Sequence, residues 1–293
     1  AHVAGDSDLS LAVDDDQRAV WVQELARQSA LRMNEVTPVT AIAVLTLILL
    51  ASGRRAQTLA EIRFLARSAA ILVRRRKIEL VGRTNFRDDN ELLVTLGQLH
   101  DTGIVSYFDE GVERLYNIQP EQHHKAAYYR NTVIHHFLVD AVVEIALLRS
   151  CTAPVNRRQQ FFVDADELRD LLKFDFFFSD KDQFHEQCAQ IADNRFAGWE
   201  QALEQGAVAV EYLLGQVRPL VAHGVLRSFV DAYRVVASTL VIAGDGAAPE
   251  KKEFLASAMR LGRQELQLDQ VYSPEAVSKT LFETAYKLAG HRG

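Results

Sequence analysis

The chain has 293 residues, of which 48% are hydrophobic and 25% are charged, as in a globular protein with a substantial core. Its formal net charge of −6 argues against a general electrostatic attraction to nucleic acid. Two cysteines, Cys151 and Cys188, are too few for a disulfide framework or a tetrahedral zinc site made of thiolates.

The beginning of the chain predicts a short arm followed by helices. Residues 1–16 are small, polar and acidic, and we expect them to be loosely held. A helical subdomain should cover residues 17–149. Thr37 and Pro38 have the residue types that begin a helix, here the apolar run AIAVLTLILLA. Its 11 residues fall short of the roughly 20 that a membrane span needs, so we interpret it as a buried core helix and expect no transmembrane helix. The helix before it has small and apolar residues on one face: Val22, Leu25, Ala26, Ser29 and Met33.

Residues from about 38 to 118 have the order helix, helix, helix, hairpin, which resembles a winged-helix unit. Thr58 and Glu61 fit a capping box at the start of one of these helices. Two short β-prone runs flank the turn at 109–111, which indicates one β-hairpin. An interaction module that binds protein or nucleic acid is therefore an alternative to any enzymatic interpretation.

A basic run inside this unit has two open interpretations. It could contact phosphate or the head groups of an anionic membrane surface, or it could be a solvated helix face with charge pairs one turn apart. The following helix argues against nucleic acid, because its acidic side chains would repel phosphate. The basic residues are Arg74, Arg75, Arg76 and Lys77, and the acidic ones are Asp88, Asp89, Glu91 and Asp101.

The stretch YYRNTVIHHFLVD contains His135 and Asp140, at the spacing that lipid acyltransferases use for a catalytic pair. We expect one continuous helix from near Pro120, on which five residues turn through about 500° and point the two side chains apart. A catalytic His–Asp pair must touch, because the carboxylate orients the imidazole. We therefore predict no catalytic residue here, and interpret Arg130, Asn131 and His135 as structural anchors. A stand-alone acyltransferase that uses His135 and Asp140 is the competing hypothesis.

The second half of the chain predicts further helices. Residues 150–158 are a candidate linker, and residues 159–293 a C-terminal helical subdomain. The predicted fold class is therefore mostly α, a helical bundle or array with the winged-helix-like unit in its first half. The histidine pairs 123–124 and 135–136 lie about three helical turns apart, so the sequence predicts no metal site and no cofactor.

Three blocks of the sequence resemble the C-terminal part of the glycerol-3-phosphate acyltransferases, most closely the bacterial PlsB type. The resemblance extends from about Trp21 to Leu288 and is best at Tyr116–Pro120 and Tyr128–Phe137. The blocks are VTPVTAIAVLTLILLASGRRAQTL, YNIQPEQHHKAAYYRNTVIHHFLVDAVVEIALL and LRDLLKFDFFFSDKDQF.

The resemblance implies a parent enzyme that transfers an acyl group from acyl-CoA or acyl carrier protein to glycerol 3-phosphate, giving lysophosphatidic acid. In that family the His-x4-Asp and Glu-Gly-x-Arg motifs lie N-terminal to the matching region, so no catalytic role passes to His135 or to Glu110. The implied role is a helical domain that supports the catalytic domain of the same parent chain. The implied location is peripheral, on the cytoplasmic side of the cell membrane.

Overall fold

The computed structural model describes residues 15–82, 84, 86–244 and 250–292. The predicted arm at 1–16 lies outside these residues, except for the backbone of the last two, which open the first helix. Among the described residues the structure has these helices: α1 (Asp15–Val36), α2 (Ala41–Ala51), α3 (Leu59–Arg75), α4 (Asp89–Asp101), α5 (His123–Asn131), α6 (Leu138–Ser150), α7 (Arg157–Leu172), α8 (Lys181–Arg195), α9 (Trp199–Gln205), α10 (Ala207–Gly215), α11 (Ala222–Ala243), α12 (Lys251–Gln267) and α13 (Lys279–Arg292).

Five very short strands accompany the helices in the first half of the chain. β1 and β3 form a parallel pair, and the other three form an antiparallel sheet in the order β2-β5-β4. The mostly α fold class predicted from sequence is therefore confirmed. The strands are β1 (Val39–Thr40), β2 (Gln57–Thr58), β3 (Leu80–Val81), β4 (Ser106–Phe108) and β5 (Leu115–Asn117).

The first half follows the predicted order of helices and hairpin, with β2 added to the sheet. The capping box is present: the Thr58 hydroxyl accepts from the Glu61 amide at 3.2 Å, and the Glu61 carboxylate accepts from the Thr58 amide at 3.0 Å. The cap of the following helix is Asp88, whose carboxylate accepts from the Asn90 amide at 2.9 Å. These local signals fix where α3 and α4 begin.

The prediction that Thr37 and Pro38 begin the second helix is wrong. The chain instead forms β1, in which the Val39 amide donates to the Glu79 carbonyl at 2.8 Å. The cap of α2 is Thr40, whose hydroxyl accepts from the Ala43 amide. The pairing of β1 with β3 joins positions about forty residues apart, so no local pattern could reveal it.

The prediction of one continuous helix through His135 and Asp140 is also wrong. The chain bends by 77° between Pro120–Asn131 and Ile134–Ser150, and residues Ile134–Phe137 form a 3₁₀ turn before α6 begins. The Thr132 hydroxyl bonds the Tyr129 carbonyl at 2.7 Å, a local side-chain bond that competes with helix continuation.

The hydrophobic core surrounds α2, α6 and α11. One cluster of buried side chains extends from Val39 to Phe229, and a second one, from Ala232 to Leu288, joins α11 to α12 and α13. The candidate linker at 150–158 contains a short turn between α6 and α7, which pack against each other, and buried residues of the first cluster lie on both sides of it. The predicted division into subdomains stays a prediction. In the described ranges, no single helix is both long and apolar enough to cross a bilayer.

Candidate functional site

Asp140, in the first turn of α6, is the centre of a buried network of charges. Its side chain is fully buried, and its Oδ1 accepts from Arg76 Nη2 at 2.6 Å and from Arg195 Nη1 at 2.9 Å. Arg76 also donates to the carbonyl of His136 at 2.6 Å. Through these bonds the carboxylate joins the end of α3, the start of α6 and the end of α8.

Glu144 extends the network one helical turn further along α6. It pairs with Arg195 Nη2 at 2.9 Å and accepts from the amides of Val221 and Ala222, at 2.9 and 2.8 Å. These two backbone amides lie at the start of α11 and have no acceptor within the helix. The helix dipole also favours a carboxylate at this end. Burial raises the pKa of Glu144 to about 7, although Arg195 and the two amides favour the charged form. The network therefore links elements on both sides of the predicted boundary at 150–158.

Sequence reasoning missed this network, although one signal of it was present. Asp140 and Glu144 lie four residues apart within the apolar run LVDAVVEIALL, and so on one face of a helix that must be buried. Buried carboxylates require partners, because desolvation penalises an unpaired charge. That argument predicts cationic partners but cannot select Arg76 and Arg195, which come from distant parts of the chain.

His135 and His136 hold the end of α1. His135 Nε2 lies 2.9 Å from the carbonyl oxygen of Asn34, and His136 Nε2 lies 2.8 Å from that of Thr37. A carbonyl oxygen only accepts, so a bond to either carbonyl requires the proton on Nε2, and the two Nε2 atoms also lie 3.1 Å from each other. Burial lowers the pKa of His135 to about 4, with His136 contributing, and burial lowers the pKa of His136 as well. Both rings are therefore neutral near pH 7.

A cleft of about 390 Å³ lies beside the two histidines, between α1 and α8. It is lined by both imidazoles, by Arg76 and by side chains such as Phe178 and Gln187. His135 bonds the Asn34 carbonyl, whereas the hydrogen bonds to Asp140 come from the two arginines. The spacing of His135 and Asp140 thus does not produce an oriented His–carboxylate pair, even though the helix between them is broken.

The other predicted anchors lie at a second buried pair. Arg130 is 2% exposed; it pairs with Glu275 through both terminal nitrogens and donates to the Gly224 carbonyl at 3.1 Å. Asn131 Oδ1 accepts from Arg130 Nη2 at 2.6 Å, and Ser228 donates to Glu275 at 2.8 Å. These contacts join α5 to α11 and to the turn before α13. They support the structural role predicted for Arg130 and Asn131, which stays a prediction.

The four residues of the basic run separate into two groups. Arg76 turns inward to Asp140, whereas Arg74, Arg75 and Lys77 are exposed. Arg74 bonds the carbonyl of Thr84 at 3.3 Å, and no carboxylate among the described residues pairs with Arg75 or Lys77. Three of the four candidate lipid or phosphate contacts are therefore available at the surface.

The cysteines and the metal-ligating side chains of the described residues offer little for nucleophilic catalysis or metal binding. Burial raises the pKa of the Cys188 thiol to about 12, and burial also raises the pKa of Cys151, so both are protonated near pH 7. Within the part of the chain that the structure describes, no group of three or more His, Cys, Asp or Glu side chains could hold a metal ion.

Two comparisons with known proteins agree on the family. The family model "Glycerol-3-phosphate acyltransferase C-terminal region" matches residues 5–293. The chain is also 36% identical over 275 residues to relatives in Mycobacterium bovis and Mycobacterium tuberculosis that carry the name acyltransferase plsB1. The aligned part covers 92% of this chain and 44% of each relative, so the chain spans less than half of their length.

The resemblance seen in three sequence blocks is thus confirmed over nearly the whole chain, and the interaction-module alternative finds no support among these relatives. The chain belongs to the glycerol-3-phosphate acyltransferase family, within which it corresponds to the C-terminal region.

Proposed function

We propose that this region is the non-catalytic, supporting part of a glycerol-3-phosphate 1-O-acyltransferase. The parent enzyme would transfer an acyl group from acyl-CoA or acyl carrier protein to glycerol 3-phosphate and release lysophosphatidic acid. Family membership supports this activity for a longer chain. The buried charges near the middle of this region, those of Asp140, Glu144 and Arg195, hold helices together and leave no oriented acid–base pair there.

The observation that carries the proposal is the two-sided character of α1. One side, with Arg27, Leu31 and Asn34, is partly buried against the rest of the molecule, and Arg27 donates to the carbonyl of Phe178 at 3.1 Å. The opposite side carries an apolar stripe that is between 53% and 74% exposed. The members of this α1 stripe recur at helical spacing: Val22, Leu25, Met33 and Val36.

An exposed apolar stripe of this length is a typical docking face, because burial of each such side chain contributes about 1.5–3 kcal/mol. The relatives extend well beyond the residues that align with this chain, so their remaining part supplies an occupant. We infer that the α1 stripe packs against the acyltransferase portion of the parent enzyme. α1 would then lie between the two parts, held from this side by His135 and His136.

Binding in trans tests this arrangement. The purified 293-residue chain is titrated with the separately expressed acyltransferase portion of the parent enzyme, and the dissociation constant is measured by calorimetry. Exchange of two stripe residues, Val22→Asp with Met33→Asp, should weaken binding by at least about tenfold, or 1.4 kcal/mol. The matched control is Val241→Asp with Ile242→Asp, a double exchange at residues of α11 that are 81% and 73% exposed, which should leave binding unchanged. Equal affinity of the stripe variant and the control would refute the arrangement.

We further propose that the outer face of α3 contacts an anionic membrane surface. Bulky apolar and basic side chains alternate on this face, a pattern typical of helices at a lipid interface. Arg67 and Arg75 pair with no carboxylate among the described residues. The face consists of Phe64, Arg67, Ile71, Arg74 and Arg75.

Co-sedimentation with phosphatidylglycerol vesicles tests this contact. Binding should be stronger than to phosphatidylcholine vesicles and should decrease with salt. The double exchange Arg67→Glu with Arg75→Glu should abolish the difference between the two lipids. A double exchange of equal charge on α12, Arg260→Glu with Arg263→Glu, is the control. Unchanged binding by the α3 variant would exclude this face.

A further inference from the structure

A second concave site lies between α2, α3, α6 and α10. It encloses about 460 Å³, within the range of about 300–1,000 Å³ that small-molecule sites occupy. It shares no lining residue with the histidine-lined cleft. Its walls are apolar, with Leu47, Ile48, Leu65, Leu148, Leu214 and Val221 among them. We refer to it as the α2–α10 groove.

Two arginines stand at the edge of the α2–α10 groove. Arg218 is exposed, and its Nη1 donates to the neighbouring carbonyl of Val217 at 2.7 Å. The Arg55 side chain is 63% exposed and uses one terminal nitrogen for Glu61 at 2.9 Å. Glu211 is the acidic member of the lining, and no carboxylate among the described residues pairs with Arg218. An edge of this kind favours an anionic group, since arginine binds carboxylates and phosphates well.

Gln57 adds one polar group to the apolar lining. It is 1% exposed, and its Nε2 donates to the Ser52 hydroxyl, which in turn donates to the Ile48 carbonyl at 2.9 Å. This order of donors leaves Gln57 Oε1 as a buried acceptor without a partner among the described residues. Such an atom is rare in a folded protein and needs a hydrogen-bond donor, which a water molecule can supply beside an alkyl chain.

We propose that the α2–α10 groove binds a single-chain amphiphile, with its alkyl chain along the apolar walls and its anionic head between Arg55 and Arg218. The apolar walls account for the alkyl chain, and the cationic edge accounts for the anionic head. A neutral lipid would leave the Arg218 guanidinium group without a paired carboxylate among the described residues. The proposal goes beyond the supporting role of the region, because that role requires no ligand.

Isothermal titration calorimetry on the purified 293-residue chain tests the proposal, with dodecyl phosphate as the probe below its micelle concentration. Dodecanoate serves as a second arm that separates a phosphate head from a carboxylate head. Monododecanoyl glycerol serves as the neutral arm and should bind at least about tenfold more weakly. Saturable one-to-one binding of either anionic probe is the expected result.

Two variants locate the bound probe. Arg218→Glu should weaken dodecyl phosphate binding by about tenfold or more, whereas Arg260→Glu, of equal charge change on α12, should not. Leu148→Glu places a charge in the apolar wall and should abolish binding, whereas Val163→Glu, at a residue of similar exposure on α7, should not. All four residues are exposed, so we expect the variants to fold. Circular dichroism checks this expectation.

Absence of saturable binding to both anionic probes would overturn the proposal. Equal affinity of Arg218→Glu and Arg260→Glu, or of the two wall variants, would overturn it as well, since the probe would then lie elsewhere. None of these outcomes concerns the α1 stripe, which the titration with the acyltransferase portion tests separately.

Discussion

The exchange Asp140→Asn tests whether the buried charge network holds this region together. The substitution keeps the size of the side chain but removes the charge that faces Arg76 and Arg195. Both arginines donate to Oδ1, so the asparagine oxygen can still accept from them, while the new amide group would take the place of Oδ2, which has no partner among the described residues. Arg195 itself is almost wholly buried and, among the described residues, would keep Glu144 as its counter-charge.

The expected magnitude follows from the negative charge that is lost. Asp140 accepts two charge-assisted hydrogen bonds, each contributing about 1.5–3 kcal/mol. Removal of one partner from a buried ion pair costs about 3–5 kcal/mol, because the other charge stays buried. Since asparagine preserves one acceptor, we expect the free energy of unfolding to fall by about 3 kcal/mol, near the lower end of that range.

Urea unfolding followed by far-ultraviolet circular dichroism measures this change. The midpoint should fall while the slope against urea stays the same, because the surface exposed on unfolding does not change. The control is Asp89→Asn, which breaks an exposed pair with Arg63 at 2.7 Å and should cost less than about 1 kcal/mol. If both variants lost the same small amount, the network would not have the role inferred here.

Three further predictions concern stability, each measured by urea unfolding. The pKa of His135 is about 4 in the fold and about 6.5 in the unfolded chain. The stability that His135 contributes is therefore complete above about pH 6.5 and is lost as the pH falls toward 4. The exchange His135→Gln should make the decrease of the unfolding free energy with falling pH shallower. An unchanged slope would contradict this prediction. Thr58→Ala should cost about 1 kcal/mol through loss of the capping box, and no loss would mean that the box contributes nothing. Gly224→Ala should destabilise by about 1–3 kcal/mol, because the added methyl would lie 2.8 Å from Ala51 Cβ. Gly97→Ala, where nothing lies within 4 Å, should stabilise α4 by about 0.5–1 kcal/mol. If the Gly97→Ala variant were less stable than the Gly224→Ala variant, the packing argument would be refuted.

Local signals in the sequence were sufficient for some elements. The apolar run AIAVLTLILLA forms α2 over its whole length, and Thr58 with Glu61 begins α3 as a capping box requires. These features depend on residues close together in the chain, whose backbone and side-chain preferences act locally.

Other features depend on partners that the sequence does not bring together. The break before α6 combines local bonds at Thr132 with the attachment of His135 and His136 to the end of α1. The network around Asp140 draws its arginines from α3 and α8. Residue types alone could predict that buried carboxylates need cations, but tertiary packing decides which ones.

The α1 stripe illustrates a different limit. Helical spacing correctly placed Val22, Leu25 and Met33 on one face, but periodicity indicates a face without indicating what covers it. In the structure this face is exposed and the opposite, more polar side meets the rest of the molecule. An apolar face that the chain leaves uncovered is the main evidence for a partner.

The most direct test of the central claim is an assay of acyl transfer from acyl-CoA to glycerol 3-phosphate by the purified 293-residue chain alone. The account places the chemistry in another part of the parent enzyme, so it predicts no transfer above the uncatalysed rate. Transfer by this chain alone, lost on the exchange His135→Gln, would contradict the account and restore His135 as a catalytic base.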